Sequence, residues 1–217
     1  MIRRRRALAM LSMGAVGALS GCIGFLTGSE ALEFSAETAT VSEASLEESG
    51  YEKAPDASGE QEIERTFSVA GQEREVIVTN HIQEYKRSVS LPVLGEQELA
   101  RFIVLSTPQV DIAGKTFNPV GEWTAREFVM QLQSAYDGLN DVQEEGERSV
   151  QMLGQSRTVT KFSAKAEVQG GESVDVFIHV TEPVADGEDF VIGLAVYPQQ
   201  IDGEQERVDQ LISGIQH

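Results

Sequence analysis

The chain has 217 residues, with 35 aspartates and glutamates against 17 lysines and arginines, and a formal net charge of −18. A surface of that sign repels nucleic acid and anionic headgroups, which argues against DNA or RNA partners. The single cysteine excludes an internal disulfide, and three histidines far apart in sequence, His81, His179 and His217, argue against a zinc centre.

At the N-terminus Arg3, Arg4, Arg5 and Arg6 precede an uncharged stretch from Ala7 to Leu19, which runs into Leu19-Ser20-Gly21-Cys22. A basic start, an apolar middle and a small-residue cleavage site follow one another as in a secretory signal. The apolar run of 13 residues falls short of the roughly 20 that a helix needs to span a bilayer. It reads as a removable signal over residues 1–21. Leu-Ser-Gly-Cys resembles the lipobox of lipoprotein precursors, where small residues admit the peptidase and the thiol takes a thioether-linked lipid. Lipidation would give the lone Cys22 a use and hold the protein on the outer face of the cell membrane; the alternative is an uncleaved anchor with a spare thiol. The arginines also resemble a twin-arginine export signal, against the plainer reading of an ordinary positive start.

Without the four signal arginines, 13 basic residues face 35 acidic ones, a net charge of −22 over 196 residues. Only five lysines occur, Lys53, Lys86, Lys115, Lys161 and Lys165. Self-repulsion of this size destabilises a compact state in dilute buffer, but at molar salt the Debye length shrinks to about 3 Å. The composition therefore fits a protein of very salty surroundings. A cation-binding or basic-partner surface at ordinary salt is the rival reading.

Residues 22–30 read as a flexible lipidated tether, and 31–217 as one domain with a proper core. A first helix is expected over Val41 to Ser49, with Thr40 and Glu43 as a capping box and Gly50 as C-cap. Alternation at Ile63, Arg65, Phe67 and Val69, a turn at Ala70-Gly71-Gln72 and a run from Glu75 to Ile82 predict a hairpin. Its second arm continues to Val89, Pro92 and Gly95 interrupt it, and Ala100 to Ser106 forms another strand. A long loop follows from Thr107 to Trp123.

Thr124 and Glu127 cap a second helix whose Phe128, Leu132, Ala135, Tyr136 and Leu139 share one face. Strands are then expected over Val150 to Leu153, Thr158 to Val168, Val174 to Val180 and Phe190 to Tyr197, joined by glycine-bearing turns. A last helix starts at a cap of Asp202 and Gln205 and buries Val208, Leu211, Ile212 and Ile215. The expected fold is α+β, a mainly antiparallel sheet of about six strands packed by two to three helices.

Phe102-Ile-Val-Leu-Ser-Thr-Pro-Gln-Val110, Phe117-Asn-Pro119, Asp189-Phe190 and Val196-Tyr-Pro198 resemble an uncharacterised lipoprotein family of halophilic archaea over the whole chain. That resemblance implies an exported lipoprotein and a salty solvent, and no activity. The order of hairpin, helix, strands and terminal helix is similar to the sandwich of PsbP and its relatives, which implies a non-enzymatic binding protein.

Two stretches carry candidate chemistry. Asp186-Gly187-Glu188-Asp189 offers three carboxylates that would clasp a hard cation, although a salt-adapted turn uses the same residues. The Thr107 to Trp123 loop is proline-stiffened and ends in the only tryptophan, so Phe117, Asn118 and Trp123 are candidates to line a ligand cleft; their structural alternative is to cap the sheet. Glu144, Glu145 and Glu147 read as a solvated turn. His179, on the strand face opposite Val174, Val176 and Ile178, is expected to be solvent-exposed or packed on the sheet. No nucleophile elbow or phosphate loop is present in the mature chain, and Ser106 would meet His81 or His179 only through the tertiary fold. No cofactor is implied. The expectation is a non-enzymatic binding or accessory module of the cell envelope, with an envelope protein or small ligand as partner. Its rivals are a small secreted hydrolase using Ser106 or a cleft carboxylate and a solute-binding component of a transporter.

Overall fold

A computed structural model describes residues 31–217, apart from 70–71, 92–94, 113–114, 136–137 and 168–172. The export signal, Cys22, the tether and the Ala70-Gly71 turn lie outside the described residues. By internal contacts the chain divides into two compact units, one containing Glu64–Ile77 and the other Glu33–Ile63 with Val78–His217. In the first, Val76 is buried while Glu73 and Glu75 are exposed. The second carries both hydrophobic clusters.

The strands are β1 Leu32–Ser35, β2 Thr40–Val41, β3 Glu52–Lys53, β4 Gly59–Val69, β5 Gln72–Leu91, β6 Gly95–Pro108, β7 Asp111–Ile112, β8 Lys115–Thr116, β9 Leu139–Met152, β10 Gln155–Glu167, β11 Ser173–Thr181, β12 Val184–Asp186, β13 Asp189–Pro198 and β14 Ile215–Gln216. Helices α1 Glu43–Ser49, α2 Ala125–Ala135 and α3 Glu204–Ser213 interrupt them. The main sheet has ten strands along the path β1-β5-β6-β13-β11-β10-β9, with β3 and β4 added on β5 and β12 on β13.

This overturns the expected sheet of about six antiparallel strands packed by helices. The sheet is large and mixed, strand accounts for 61% of the structure and helix for 21%. Two physical reasons account for the difference. β1, β3 and β12 are two to four residues long, too short to display a period of two. β9 is mostly exposed and rich in glutamate, so it lacks the apolar alternation that marks a half-buried strand. Glu144, Glu145 and Glu147 accordingly lie within β9, not in a turn: Glu147 is opposite Thr160, Glu144 opposite Phe162, and Glu145 falls at the register shift between them.

Caps differ from expectation at two helices of three. Ser42, not Thr40, starts α1, its Oγ accepting from Ser45 N at 3.3 Å; Thr40 is held in β2 opposite Gln216. Gly50, at φ 72, closes that helix in the left-handed region that glycine adopts without strain. For α3 the expected cap of Asp202 and Gln205 is absent, and Gly203 occupies the N-cap with no side-chain bond. The Thr124–Glu127 box at α2 forms in both directions, Thr124 N to Glu127 Oε2 at 2.9 Å and Glu127 N to Thr124 Oγ1 at 3.2 Å. The bonds that Thr124 N and Thr124 Oγ1 donate to its Oε2 hold the Glu127 carboxyl below its usual range.

Successive strand residues point to opposite faces. Phe102 and Val104 join Tyr85, Val159 and Tyr197 on the face that meets Val208, Leu211 and Ile212 of α3 and Leu46 of α1. Ile103 and Leu105 point the other way, toward a cluster built from Phe162, Val176, Ile178, Ile192 and Leu194 with Val129 of α2. Each such buried side chain contributes about 1.5–3 kcal/mol of transfer free energy. Among the described residues no helix is long and apolar enough to cross a membrane.

Candidate functional site

Both loops singled out by sequence run to the same end of the sheet. Gln109 follows β6, and its backbone N donates to Glu188 O at 2.8 Å. Its side-chain Nε2 donates to Asp189 O at 3.0 Å and approaches Gly187 O at 3.4 Å. Between these loops and the start of β1 lies a cleft of about 490 Å³, lined by Glu33, Phe34, Ser35, Pro108, Gln109, Asp111, Gly187, Glu188 and Asp189. Four of those side chains are carboxylates, and no lysine or arginine is among them.

Its innermost carboxylate is Asp189, whose side chain is 5% exposed. Asp189 Oδ2 accepts from the backbone N of Glu37 at 2.7 Å and meets His217 Nε2 at 3.1 Å. His217 Nδ1 lies 3.0 Å from Asp186 Oδ2. Both ring nitrogens thus face carboxylate oxygens, and both contacts are hydrogen bonds when the ring carries two protons. Both contacts of the Asp189 side chain are thus made by Oδ2. The strand geometry explains the placement: Asp189 opens β13 opposite Pro108, at the close of the tight β12–β13 turn whose Gly187 adopts φ 60.

Asp186 and Asp189 are therefore brought together by an imidazole. Among the described residues no group of three or more histidines, cysteines and carboxylates is arranged to hold a metal ion. Glu188 stands apart from Asp186 and His217, on the wall of the cleft.

The residues chosen from the 107–123 stretch mostly hold the loop in place. Asn118 Nδ2 donates to Thr107 Oγ1 at 2.8 Å and Pro108 O at 2.7 Å, while its Oδ1 accepts from Val120 N at 3.1 Å. Phe117 N donates to Val110 O at 2.7 Å. Trp123 is half-buried with its ring edge-on to Phe128, centroids 6.2 Å apart. Gly121 lies flush on a ring, since a Cβ there would come 2.2 Å from Phe190 Cζ. The part of the stretch that lines the cleft is Pro108, Gln109 and Asp111.

Ser106 and His81 do become register neighbours across β5 and β6. They bond separately to one segment: Ser106 Oγ donates to Glu37 O at 2.6 Å, and His81 Nδ1 lies 3.1 Å from Thr38 Oγ1. Ser106 is fully buried, so its hydroxyl anchors backbone and does not face solvent. Sequence reasoning gave residues 36–38 no role. Their signal was absent, because a backbone N–H and carbonyl do the work.

His179 is not exposed. It is 1% accessible, its Nδ1 2.7 Å from Arg148 Nη1 and its Nε2 2.8 Å from Tyr197 OH. A guanidinium can only donate, so Nδ1 accepts and Nε2 carries the proton toward Tyr197. Burial, followed by the charges of Arg148 and Lys161, pushes the imidazole down to about 3. Arg148 is held in turn by Asp209 of α3. The group is a neutral, enclosed strut.

A family model described as a domain of unknown function (DUF6517) matches residues 38–216. No curated protein matches the chain.

Proposed function

The chain belongs to the DUF6517 family, whose model covers nearly all of the described residues, and from that premise we propose a lipid-anchored binding module of the cell envelope. In this reading residues 1–21 are removed, Cys22 carries the lipid, and residues 22–30 tether the fold to the outer face of the membrane, after export by the twin-arginine route. The family refines to the lipoproteins of halophilic archaea that the Phe102 to Val110 and Val196 to Pro198 stretches resemble, with the acidic surface serving solvation in molar salt. The order of elements, similar to the PsbP sandwich, agrees with binding and not with catalysis.

One observation carries the binding role: the two loops picked out for their composition converge on one open cleft. Loops on a rigid sheet are where recognition is commonly placed. Of the two candidates for a hydrolase, Ser106 has its hydroxyl buried against the Glu37 carbonyl, which leaves only a cleft carboxylate for that reading.

The test is made on protein recovered from native membranes. Intact mass is expected to equal residues 22–217 plus a lipid adduct, and a photo-crosslinker placed at Glu188 is expected to capture an envelope component that one at exposed Glu145 does not. A full-length mass with a free thiol would mean an uncleaved N-terminal anchor in place of the lipid, and identical capture at both positions would remove the binding role. In dilute buffer the fold is expected to loosen; circular dichroism that stays native at 50 mM salt would sink the halophilic reading.

A further inference from the structure

We infer that the chain holds a second ligand site, for the carboxylate head of a small organic acid, in a cleft where α1 ends beside β5 and α3. The inference goes beyond the binding role proposed above and does not depend on the cleft at Asp189. Its starting point is a reversal of charge. Acidic residues outnumber basic ones by 35 to 17 in the chain, and the cleft at Asp189 has four carboxylates and no lysine or arginine among its lining residues. The second cleft, of about 400 Å³, has three cations, Lys86, Arg87 and Arg207, against the single carboxylate of Glu52.

An independent feature joins that reversal: the two guanidinium groups share one counter-ion. Arg87 donates to both oxygens of Glu204, through Nε and Nη2, and Arg207 Nε reaches the same Oε2 at 3.8 Å. The Glu204 side chain is wholly buried, whereas those of Arg87 and Arg207 are 20% and 40% exposed. Two positive charges on one negative charge leave one unmatched, on the side open to solvent. Both arms border Gly50, where a Cβ would stand 3.7 Å from Arg87 Cδ and 4.0 Å from Arg207 Nη1. Their other nitrogens are lightly used. Arg207 Nη1 donates to Ser49 O at 2.8 Å, Arg87 Nη1 only approaches Ser88 O at 3.5 Å, and Arg207 Nη2 has no bond among the described residues.

The chemistry of these groups selects the ligand. A planar fork of N–H donors matches the two oxygens of a carboxylate. One unmatched positive charge is neutralised by a monoanion, while a phosphate group, at about −1.5 to −2, would overshoot it beside Glu52. Lys86 is already bonded to Glu98 at 2.8 Å and lies 3.9 Å from Glu52, so it adds to the local potential without being the main partner. Repulsion between an organic acid and this acidic protein reaches only about 3 Å in molar salt, which leaves short, directional contacts to decide binding. Chloride fills such a solvent but has no second oxygen to meet a fork.

The test uses the full chain in about 2 M potassium chloride, where non-specific attraction between charges is screened. Potassium acetate, potassium phosphate and further potassium chloride are titrated separately against the backbone amide resonances of Ser49, Gly50 and Ser88. Acetate is expected to give saturable shifts there, phosphate to bind more weakly, and added chloride to give no saturable shift. Arg207→Gln is expected to weaken acetate binding at least about fivefold, for the loss of one partly exposed charged donor. Arg207→Lys, which keeps the charge without the fork, is expected to weaken it about two- to fivefold, and it serves if Arg207→Gln fails to fold. Lys53→Gln, outside the lining of the cleft, is expected to leave binding unchanged. No saturable shift from acetate, phosphate bound as tightly as acetate, or unchanged acetate affinity in the Arg207 variant that folds would overturn the assignment.

Discussion

Two deeply buried carboxylates, Glu204 and Asp189, are treated in opposite ways by the fold. Glu204 Oε1 accepts from Tyr51 OH at 2.7 Å and Arg87 Nε at 3.3 Å, and its Oε2 pairs with Arg87 Nη2 and, at 3.8 Å, with Arg207. It opens α3, where a negative charge also suits the helix N-terminus. Both of its oxygens are satisfied by protein, and the phenol of Tyr51 is pushed far up by burial and by that carboxylate. Asp189 takes both of its side-chain partners, Glu37 N and His217 Nε2, on one oxygen and lines an open cleft. Glu204 pins α3, β5 and the end of α1 together in the core, whereas Asp189 ties residue 37 and the C-terminal His217 to the rim of the cleft.

The sharpest way to break this comparison is at Arg87. Arg87→Met strands Glu204 in the core with only the more distant Arg207, and is expected to lower unfolding free energy by about 3–5 kcal/mol, read by urea denaturation in molar salt. Adding Glu204→Gln to the same chain is expected to recover part of that loss, because the uncompensated charge is gone. If the double variant were no better than the single one, Glu204 would not be held mainly by charge. Asp189→Asn comes next, with a cost of about 1–3 kcal/mol, smaller because Glu37 N still finds an oxygen.

A third buried group sharpens the contrast through pH. His179 sits at about 3 in the fold against 6.5 ordinarily, so between those values the unfolded chain binds a proton that the folded chain refuses. The stabilisation is complete above about pH 6.5 and is lost as pH falls toward 3, by up to about 1.4 kcal/mol per pH unit. His179→Gln is expected to flatten that acid slope between pH 6.5 and 4; an unchanged slope would assign it to the carboxylates instead. Smallest of all is Glu188→Gln, at an exposed wall position of the cleft, within about 0.5 kcal/mol of the parent by the same denaturation.

The sequence made some of this legible and hid the rest for physical reasons. The Thr124–Glu127 box could be read because capping is local, with all its partners within four residues. Phe102 to Leu105 could be read as strand because its residues are apolar on both faces, and both faces are covered. The ten-stranded extent could not, since β3 exists only through pairing with β5 more than thirty residues on, and β12 is too short to show a period of its own. Likewise the 186–189 carboxylates and the 107–123 stretch were recognised separately, but Asp189 meets Glu37 across 152 residues and His217 across 28, a closure that no local pattern announces. For His179 the residues left solvent and sheet packing open, and the choice is made by Tyr197 and Arg148, distant in sequence, which enclose its ring.

One edge of the sheet has a bearing on how this protein behaves in a crowd. Among the described residues β9 pairs only with β10, so its outer side offers backbone groups along a strand of 14 residues. Such an edge invites a second chain to add on. In strong brine the repulsion between whole molecules reaches only about 3 Å and no longer keeps them apart. Protection then falls to contact: a docking strand would have to strip water from Glu144, Glu145 and Glu147, and the hydration of those carboxylates opposes fibre growth under the very conditions that screen their charge.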